Sequence, residues 1–509
     1  MAASGDLSVE RRDAAFGGLA DFDDPAPDRV AVNGVLASTG TYAVPPLPPA
    51  LLAAVAEGRA PSPAELDELK AKVQGAKTHL AVKFGIDNED LAQAGWGVVF
   101  AADDPDASAA SEALSPLLRR RQEQAGALYK EFRGPDGLRP GESGSQFLAR
   151  HGSAPGPVDP KKGVPYYLLL VGTPSRIPFD VQADMDVRHA VGRLDLGGAA
   201  ALAEYARGVV AREQRAEAGA GGLARRLAMF ATANRGDIST QRSARRLAAP
   251  VANAFADAHA AWQVDRLLAD AATKAALGAL LRDPAPPAIL FTATHGAVYP
   301  AGAAEQRALQ GALVTQEWPG PLEAAGPLDV GARFAAEDLD PSARLDGMVA
   351  FLFACFGVGT PATDEFLPPE VATKALAPEP FESALPRALL ARGAGAVIGH
   401  VERAWTASFS WPGAGSATTV FEDALAMLAQ GRRVGAAVES LNQRYAEISV
   451  DLAAALEKTA KGKQNQSEVA GLWLARTDAR NYVVLGDPAV RVPLAAQKPS
   501  RPTAPSTPN

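Results

Sequence analysis

The chain has 509 residues, 47% hydrophobic and 21% charged, enough length and apolar material to bury a sizeable core in two or three domains. Its 58 acidic residues against 50 lysines and arginines give a formal charge of −8, and the absence of a long basic run argues against a nucleic-acid partner. The single cysteine, Cys355, excludes an intramolecular disulfide framework and a thiol-rich zinc site and fits a reducing, cytoplasmic setting; the 6 histidines never sit three or four apart, so no metal site is expected.

No stretch approaches eighteen consecutive apolar residues, and Met1 to Ala20 is polar where a signal peptide needs an apolar core, so neither membrane insertion nor export is expected. Residues 1–50 are rich in Gly, Asp and Pro and end in Pro45-Pro46-Leu47-Pro48-Pro49, which reads as a loose, extended lead-in. Ser62-Pro63-Ala64-Glu65 has the residues of a helix start, and a helix to about Gln74 follows. A short helix after Asn88 precedes Trp96–Ala101, an apolar run that reads as a buried strand. A helix over Leu114–Ala125, strands at Tyr166–Val171 and Val187–Val191 and a helix over 199–215 complete a small α/β layer, residues 90–216.

The Gly-rich stretch Ala218–Gly222 marks a boundary. Beyond it strands and helices alternate: strand Leu227–Thr232, helix Thr240–Ala258, strand Trp262–Leu267, helix Ala271–Leu281, strand Ala288–Ala293. The pattern resumes with strand Met348–Ala354, helix Phe381–Arg392, strand Ala396–His400, helix Ala417–Gln430, helices within 434–460 and strand Tyr482–Leu485. Such alternation predicts a mostly parallel sheet with helices on both faces over residues 223–495. Residues 1–89 form an extension, partly disordered, and the Pro-rich tail 496–509 is expected to be disordered. The segment Phe356–Pro380 carries Pro361, Pro368, Pro369, Pro378 and Pro380 and is expected to be a mobile loop without regular pairing.

The strand Ala288–Ala293 runs through Thr294 into His295-Gly296, and the next strong strand, Met348–Ala354, runs into Cys355. Reacting groups in open α/β sheets gather at the carboxyl ends of strands. If these two strands are parallel neighbours, an imidazole and a thiol face one substrate carbonyl, the pairing that nucleophilic catalysis by cysteine requires. His151-Gly152 follows a helical pattern and reads as a surface histidine. Gly393–Gly399 lies between a helix and the following strand, the reverse of the order that places a phosphate on a helix N-terminus, so its glycines read as a helix C-cap.

The strand-His295-Gly296 and strand-Cys355 pair resembles the catalytic dyad of the caspase-like cysteine peptidases, a clan that includes caspases, gingipains, clostripain, separase and CHAT-domain proteases. Val171-Gly172-Thr173-Pro174, Ile177-Pro178 and Ala190–Leu194 are similar to the first subdomain of the gingipain branch, and Asn481–Ala489, with Leu485-Gly486-Asp487-Pro488, to the element that closes its catalytic domain. The resemblance covers about residues 90–492. It implies a caspase-like α/β fold preceded by a smaller α/β subdomain, and an endopeptidase acting on protein or peptide substrates without metal or organic cofactor, with an activating partner protein as a further option.

By that resemblance Cys355 is the nucleophile, His295 the proton-transfer partner, and the N–H groups of Gly296 and Cys355 an oxyanion hole. Substrate selection rests on Glu402, which would take a basic residue before the scissile bond, or on Arg235, which resembles a pocket arginine for Asp; Trp405 and Trp411 would supply an apolar wall. No third catalytic residue is singled out. Two other readings stay open: a silent caspase-like binding module, and a thiol acyl hydrolase on a small substrate.

Overall fold

The computed structural model describes residues 29–47, 56, 70, 82–364, 366, 375–411, 415–460 and 466–495. The helix expected from Ser62 lies outside them apart from a single residue, and the tail 496–509 lies wholly outside.

Runs of apolar residues bounded by Gly, Pro and Asp become the strands of one large sheet: β1 (Trp96–Phe100), β2 (Tyr129–Phe132), β3 (Tyr167–Val171), β4 (Ala190–Leu194), β5 (Arg226–Ala231), β6 (Gln263–Leu268), β7 (Ile289–Ala293), β8 (Val349–Phe353), β9 (Ala396–His400) and β10 (Tyr482–Leu485). These 10 strands lie in the order β2-β1-β3-β4-β10-β9-β8-β7-β5-β6. Every pairing is parallel except β10 with β9. The fold is thus α/β, with a mostly parallel central sheet flanked by helices.

Side chains alternate between two cores: Tyr167, Leu169 and Val171 of β3 join one cluster, Leu168 and Leu170 the other. Both faces of the sheet are therefore covered, which is why the strands read as unbroken apolar runs. Because β10 is parallel to β4 and antiparallel to β9, the two halves of the sheet run in opposite directions. The carboxyl ends of β5, β7, β8 and β9 consequently share one edge, and those of β1, β3 and β4 the other.

Several elements differ from the expectation for identifiable reasons. The third strand begins at Ala190 because the chain at Val187–His189 still belongs to the turn that ends helix Phe179–Asp186, with Arg188 and His189 N–H both donating to Met185 O. Strand β2, Tyr-Lys-Glu-Phe, is a polar edge strand with no periodicity to find it by. Within the Pro-rich segment after Cys355, Gly359–Thr360 pair antiparallel with Phe381–Glu382 just beyond it and Thr363 bridges Ala375, while 365 and 367–374 of the expected mobile loop lie outside the described residues; the helix expected from Phe381 starts at Ala384.

The largest correction concerns the N-terminus. Residues 29–47, expected as a loose lead-in, form a hairpin packed into the protein, with Ala31, Val32, Asn33 and Val35 at 1%, 1%, 0% and 0% exposure. Its strand Gly34–Leu36 completes a small sheet with Gly296–Val298, Leu313–Val314 and Arg333–Phe334 at the edge where β7 ends.

Candidate active site

Strands β7 and β8 are parallel neighbours in register, Ala293 opposite Phe353. Thr294 extends the ladder by donating its N–H to Phe353 O at 3.1 Å, and each strand then delivers its candidate two residues on, His295 and Cys355. The crossing is so tight that a Cβ on Gly296 would fall 1.9 Å from Cys355 O, a site only glycine can occupy.

The Gly296 and Cys355 N–H groups converge on one acceptor, the backbone carbonyl of Asn33, at 2.9 and 3.1 Å. Two donors on one oxygen beside a thiol are what a developing oxyanion needs.

His295 is fully buried, with its ring set edge-on against Tyr42 and Trp318 at centroid distances of 5.9 and 5.2 Å. Its Nε2 lies 2.8 Å from Asp237 Oδ2, and Nδ1 has no hydrogen-bond partner among the described residues. Asp237 stands just past the end of β5 as the N-cap of helix Ile238–Arg242 and accepts from the Ser239 and Thr240 N–H groups, the Thr240 hydroxyl and, at 2.7 Å, the Tyr42 hydroxyl. Burial raises the Asp237 carboxyl, but His295 and these donors outweigh it and hold it below the usual carboxylate range.

Cys355 is also fully buried, and burial pushes its thiol up to about 12, opposed by the Ala404 N–H and the charge of Arg403. The Ala404 N–H points at Sγ from 3.3 Å. Phe356, next in the chain, and Glu402 both adopt left-handed backbone, with φ of 55° and 73°, and the Phe356 N–H donates to Glu402 O. Such strain is a common mark of functional sites.

The 29–47 hairpin fills the space over these groups. Asn33 N–H donates to Ala404 O at 3.0 Å and Thr406 N–H to Ala31 O at 3.1 Å, so residues 31–33 lie antiparallel to the segment that leaves β9. Gly34–Leu36 then run parallel to Gly296–Val298. Gly34 is pressed against the sulfur: a Cβ there would stand 3.1 Å from Sγ. The chain turns at Thr39-Gly40 and returns, Ala43 N–H donating to Gly34 O at 2.9 Å and Val30 exchanging hydrogen bonds with Leu47 at 3.0 and 2.9 Å.

The structure places His295, Gly296 and Cys355 at the ends of neighbouring strands, and Glu402 and Trp405 in the segment beside Cys355, but engages the specificity side chains elsewhere. The Glu402 carboxylate lies 2.6 Å from Arg403, which also reaches Asp364 at 2.7 Å. Arg235 is exposed and paired with Glu323 at 2.9 Å. Trp405 is buried against Phe366 and meets the hairpin through its backbone bridge to Val32. Trp411 lies in the short strand Ser410–Trp411, and its side chain is outside what the structure describes. His151 packs against Phe132 and Phe147, remote in the sheet order from β7 and β8.

Two further residues stand at the candidate site without a place in the sequence expectation, Asp237 beside His295 and Asn33 beside Gly296 and Cys355. Asp237 had a findable signal, an acidic N-cap just past the end of a parallel strand on the same edge as His295. Asn33 had none, since Asn33-Gly34 reads as an ordinary turn pair.

No family model matches the chain, and no curated protein does. Among solved structures it is similar to the complex of Porphyromonas gingivalis RgpB pro- and mature domains, with 12% identity and a TM-score of 0.43 over 79% of this chain and 81% of that one. It is also similar to a structure described as a protease, with 12% identity and a TM-score of 0.45 over 82% of this chain and 80% of the other.

Proposed function

We propose that this chain is a cysteine endopeptidase in which Cys355 attacks the scissile carbonyl and His295 carries the proton to the leaving amine. The observation that carries this reading is the convergence of the Gly296 and Cys355 N–H groups on the Asn33 carbonyl, beside Sγ. In this reading Asp237 holds His295 through Nε2, fixing the tautomer that leaves the Nδ1 lone pair to take the thiol proton.

An extended polypeptide suits the cleft better than a small acyl substrate, because residues 31–33 are held by backbone hydrogen bonds to 404–406 whatever their side chains. Burial under the hairpin raises the thiol and slows its chemistry, so removal of the hairpin, by cleavage or by a partner protein, precedes turnover of other substrates. Selection of basic residues by Glu402 or of Asp by Arg235 draws no support from where those side chains lie.

A peptide-library digest tests the reading. Cys355→Ala and His295→Ala should each lose at least about a thousandfold in cleavage rate with little change in thermal unfolding, and the double variant should be hardly worse than either single one. Full cleavage by Cys355→Ala sinks the proposal. A silent module would show itself by reacting with a thiol-directed peptide electrophile no faster than denatured protein does.

A further inference from the structure

We propose that the cleft is built for a peptide with asparagine before the scissile bond, and that the chain's own Asn33–Gly34 bond is the first one it cuts. This rests on the endopeptidase reading and adds its substrate class.

The carbonyl held between the Gly296 and Cys355 N–H groups belongs to Asn33, so the bond presented to Sγ is Asn33–Gly34. Residues preceding it pair antiparallel with 404–406 and residues following it run alongside Gly296–Val298, so the hairpin crosses the site in the direction of a bound substrate. The leaving residue is a glycine, and the 3.1 Å between its hypothetical Cβ and Sγ leaves no slack for a side chain.

The Asn33 side chain is fully buried, and what surrounds its amide nitrogen is selective. Nδ2 donates to Thr294 O at 3.2 Å and to Ser243 Oγ at 3.3 Å. The Ser243 hydroxyl spends its own hydrogen on Ser239 O at 3.0 Å or Thr240 O at 3.3 Å, so it faces Asn33 as an acceptor. Two acceptors require a donor, which a carboxamide has and a carboxylate lacks, and this also fixes which way the amide points. Oδ1 has no partner among the described residues, so discrimination rests on the nitrogen. An aspartate in the same place would turn a charged oxygen toward the fixed Thr294 carbonyl, and could gain the Ser243 hydroxyl only by taking its hydrogen from Ser239 O or Thr240 O.

The reaction balances with groups already present. Sγ, its proton passed to His295, bonds to the Asn33 carbonyl carbon; the bond to the Gly34 nitrogen breaks, and that nitrogen takes the proton from His295 and leaves as a new amino terminus. Water then hydrolyses the thioester, leaving a carboxylate on Asn33 and restoring the thiol. Burial of the thiol makes the first cut slow compared with turnover of an open site.

The test follows intact mass and N-terminal sequence of the purified full-length chain over time, beside its cleavage of peptides that differ only in having Asn, Asp or Arg before the cut. The expected result is a product beginning at Gly34, formed at a rate independent of protein concentration, absent from Cys355→Ala and slowed at least about a hundredfold in Asn33→Asp, with Asn peptides preferred over Asp by a similar factor. The Cys355→Ala control removes uncatalysed rearrangement at an Asn-Gly pair. If the chain cuts peptides without preference for Asn, the inference fails and the endopeptidase reading stands. If Asn peptides are cut while Asn33–Gly34 stays whole, self-processing is overturned and the hairpin is an inhibitor. If no peptide is cut and Cys355 reacts with electrophiles no faster than in denatured protein, both readings fall.

Discussion

Asp237 does two jobs that substitution can separate. Its carboxylate caps helix Ile238–Arg242 and holds His295 Nε2. Asn caps as well as Asp but carries no charge to stabilise an imidazolium. Asp237→Asn should therefore lower kcat by roughly 10²- to 10⁴-fold with KM little changed, whereas Asp237→Ala should also cost about 1 kcal/mol in denaturant unfolding. Equal kcat in wild type and Asp237→Asn would remove Asp237 from the mechanism. The pH dependence has a definite sign: the folded carboxyl lies below its unfolded value, so its contribution is present above about pH 4 and is lost as pH falls toward the folded pKa, and Asp237→Asn should flatten that acid limb of stability. Cys355 and His295 were legible because each ends a strong apolar strand, and a lone cysteine concentrates attention. Asp237 is harder to read from sequence because the same loop holds Arg235, whose charge is the more conspicuous but whose side chain points to solvent. Glu402 was legible only as a carboxylate at the right edge; that its neighbour Arg403 claims it is a matter of rotamers that spacing does not encode.

Strands buried on both faces announced themselves as apolar runs, so nearly every one in the central sheet was placed within a few residues. Elements whose stability comes from what they dock against did not. The 29–47 hairpin is rich in turn formers and has little apolar periodicity; it is held by backbone hydrogen bonds and by Tyr42, whose hydroxyl donates to Asp237 and accepts the Ile238 N–H at 3.1 Å. Helix Gln466–Arg480 was equally unforeseen, yet its Asp478 accepts the Trp405 N–H at 2.8 Å and the Ser408 hydroxyl, fixing the segment that pairs with the hairpin. Removing the Tyr42 hydroxyl leaves the Ile238 N–H without its partner, worth about 1–3 kcal/mol, so Tyr42→Phe should open the site about tenfold to a hundredfold more often. Because Cys355 is the only cysteine, its alkylation by a small electrophile reads opening directly. In the closed chain labelling should keep rising toward pH 12, since burial pushes the thiol up to about 12; in Tyr42→Phe the profile should move toward that of an ordinary thiol near about pH 8.5. An unchanged labelling rate would mean that Tyr42 does not hold the hairpin down.

At the scale of the whole molecule, the last strand in sequence is the seam. β10 inserts between β4 and β9, so the N-terminal α/β layer and the half that carries the candidate site share one sheet. Just past it, fully buried Asp487 accepts from Arg121 Nε at 2.7 Å and Trp96 Nε1 at 3.0 Å, and its N–H donates to Tyr205 Oη at 2.8 Å, so one carboxylate at the close of the chain binds the first strand and its neighbouring helices. Arg121 is itself fully buried, with Glu213 as its remaining acidic partner at 2.6 Å. Asp487→Ala should cost about 2–4 kcal/mol, because it leaves the buried Arg121 Nε–H and the Trp96 indole N–H without an acceptor, while Glu213 still pairs with the guanidinium. Asp487→Asn should cost less, since the amide oxygen can still accept from Trp96. Since β10 runs antiparallel to β9, Asp487 sits at the edge opposite Cys355 and His295, and at temperatures where the variants stay folded their peptide cleavage should match wild type. The seam also makes the halves interdependent: calorimetry should record one cooperative transition, shifted down in Asp487→Ala and still single. Two resolved transitions in wild type, or an Asp487→Ala chain as stable as the parent, would mean that the halves fold independently and that β10 only abuts them.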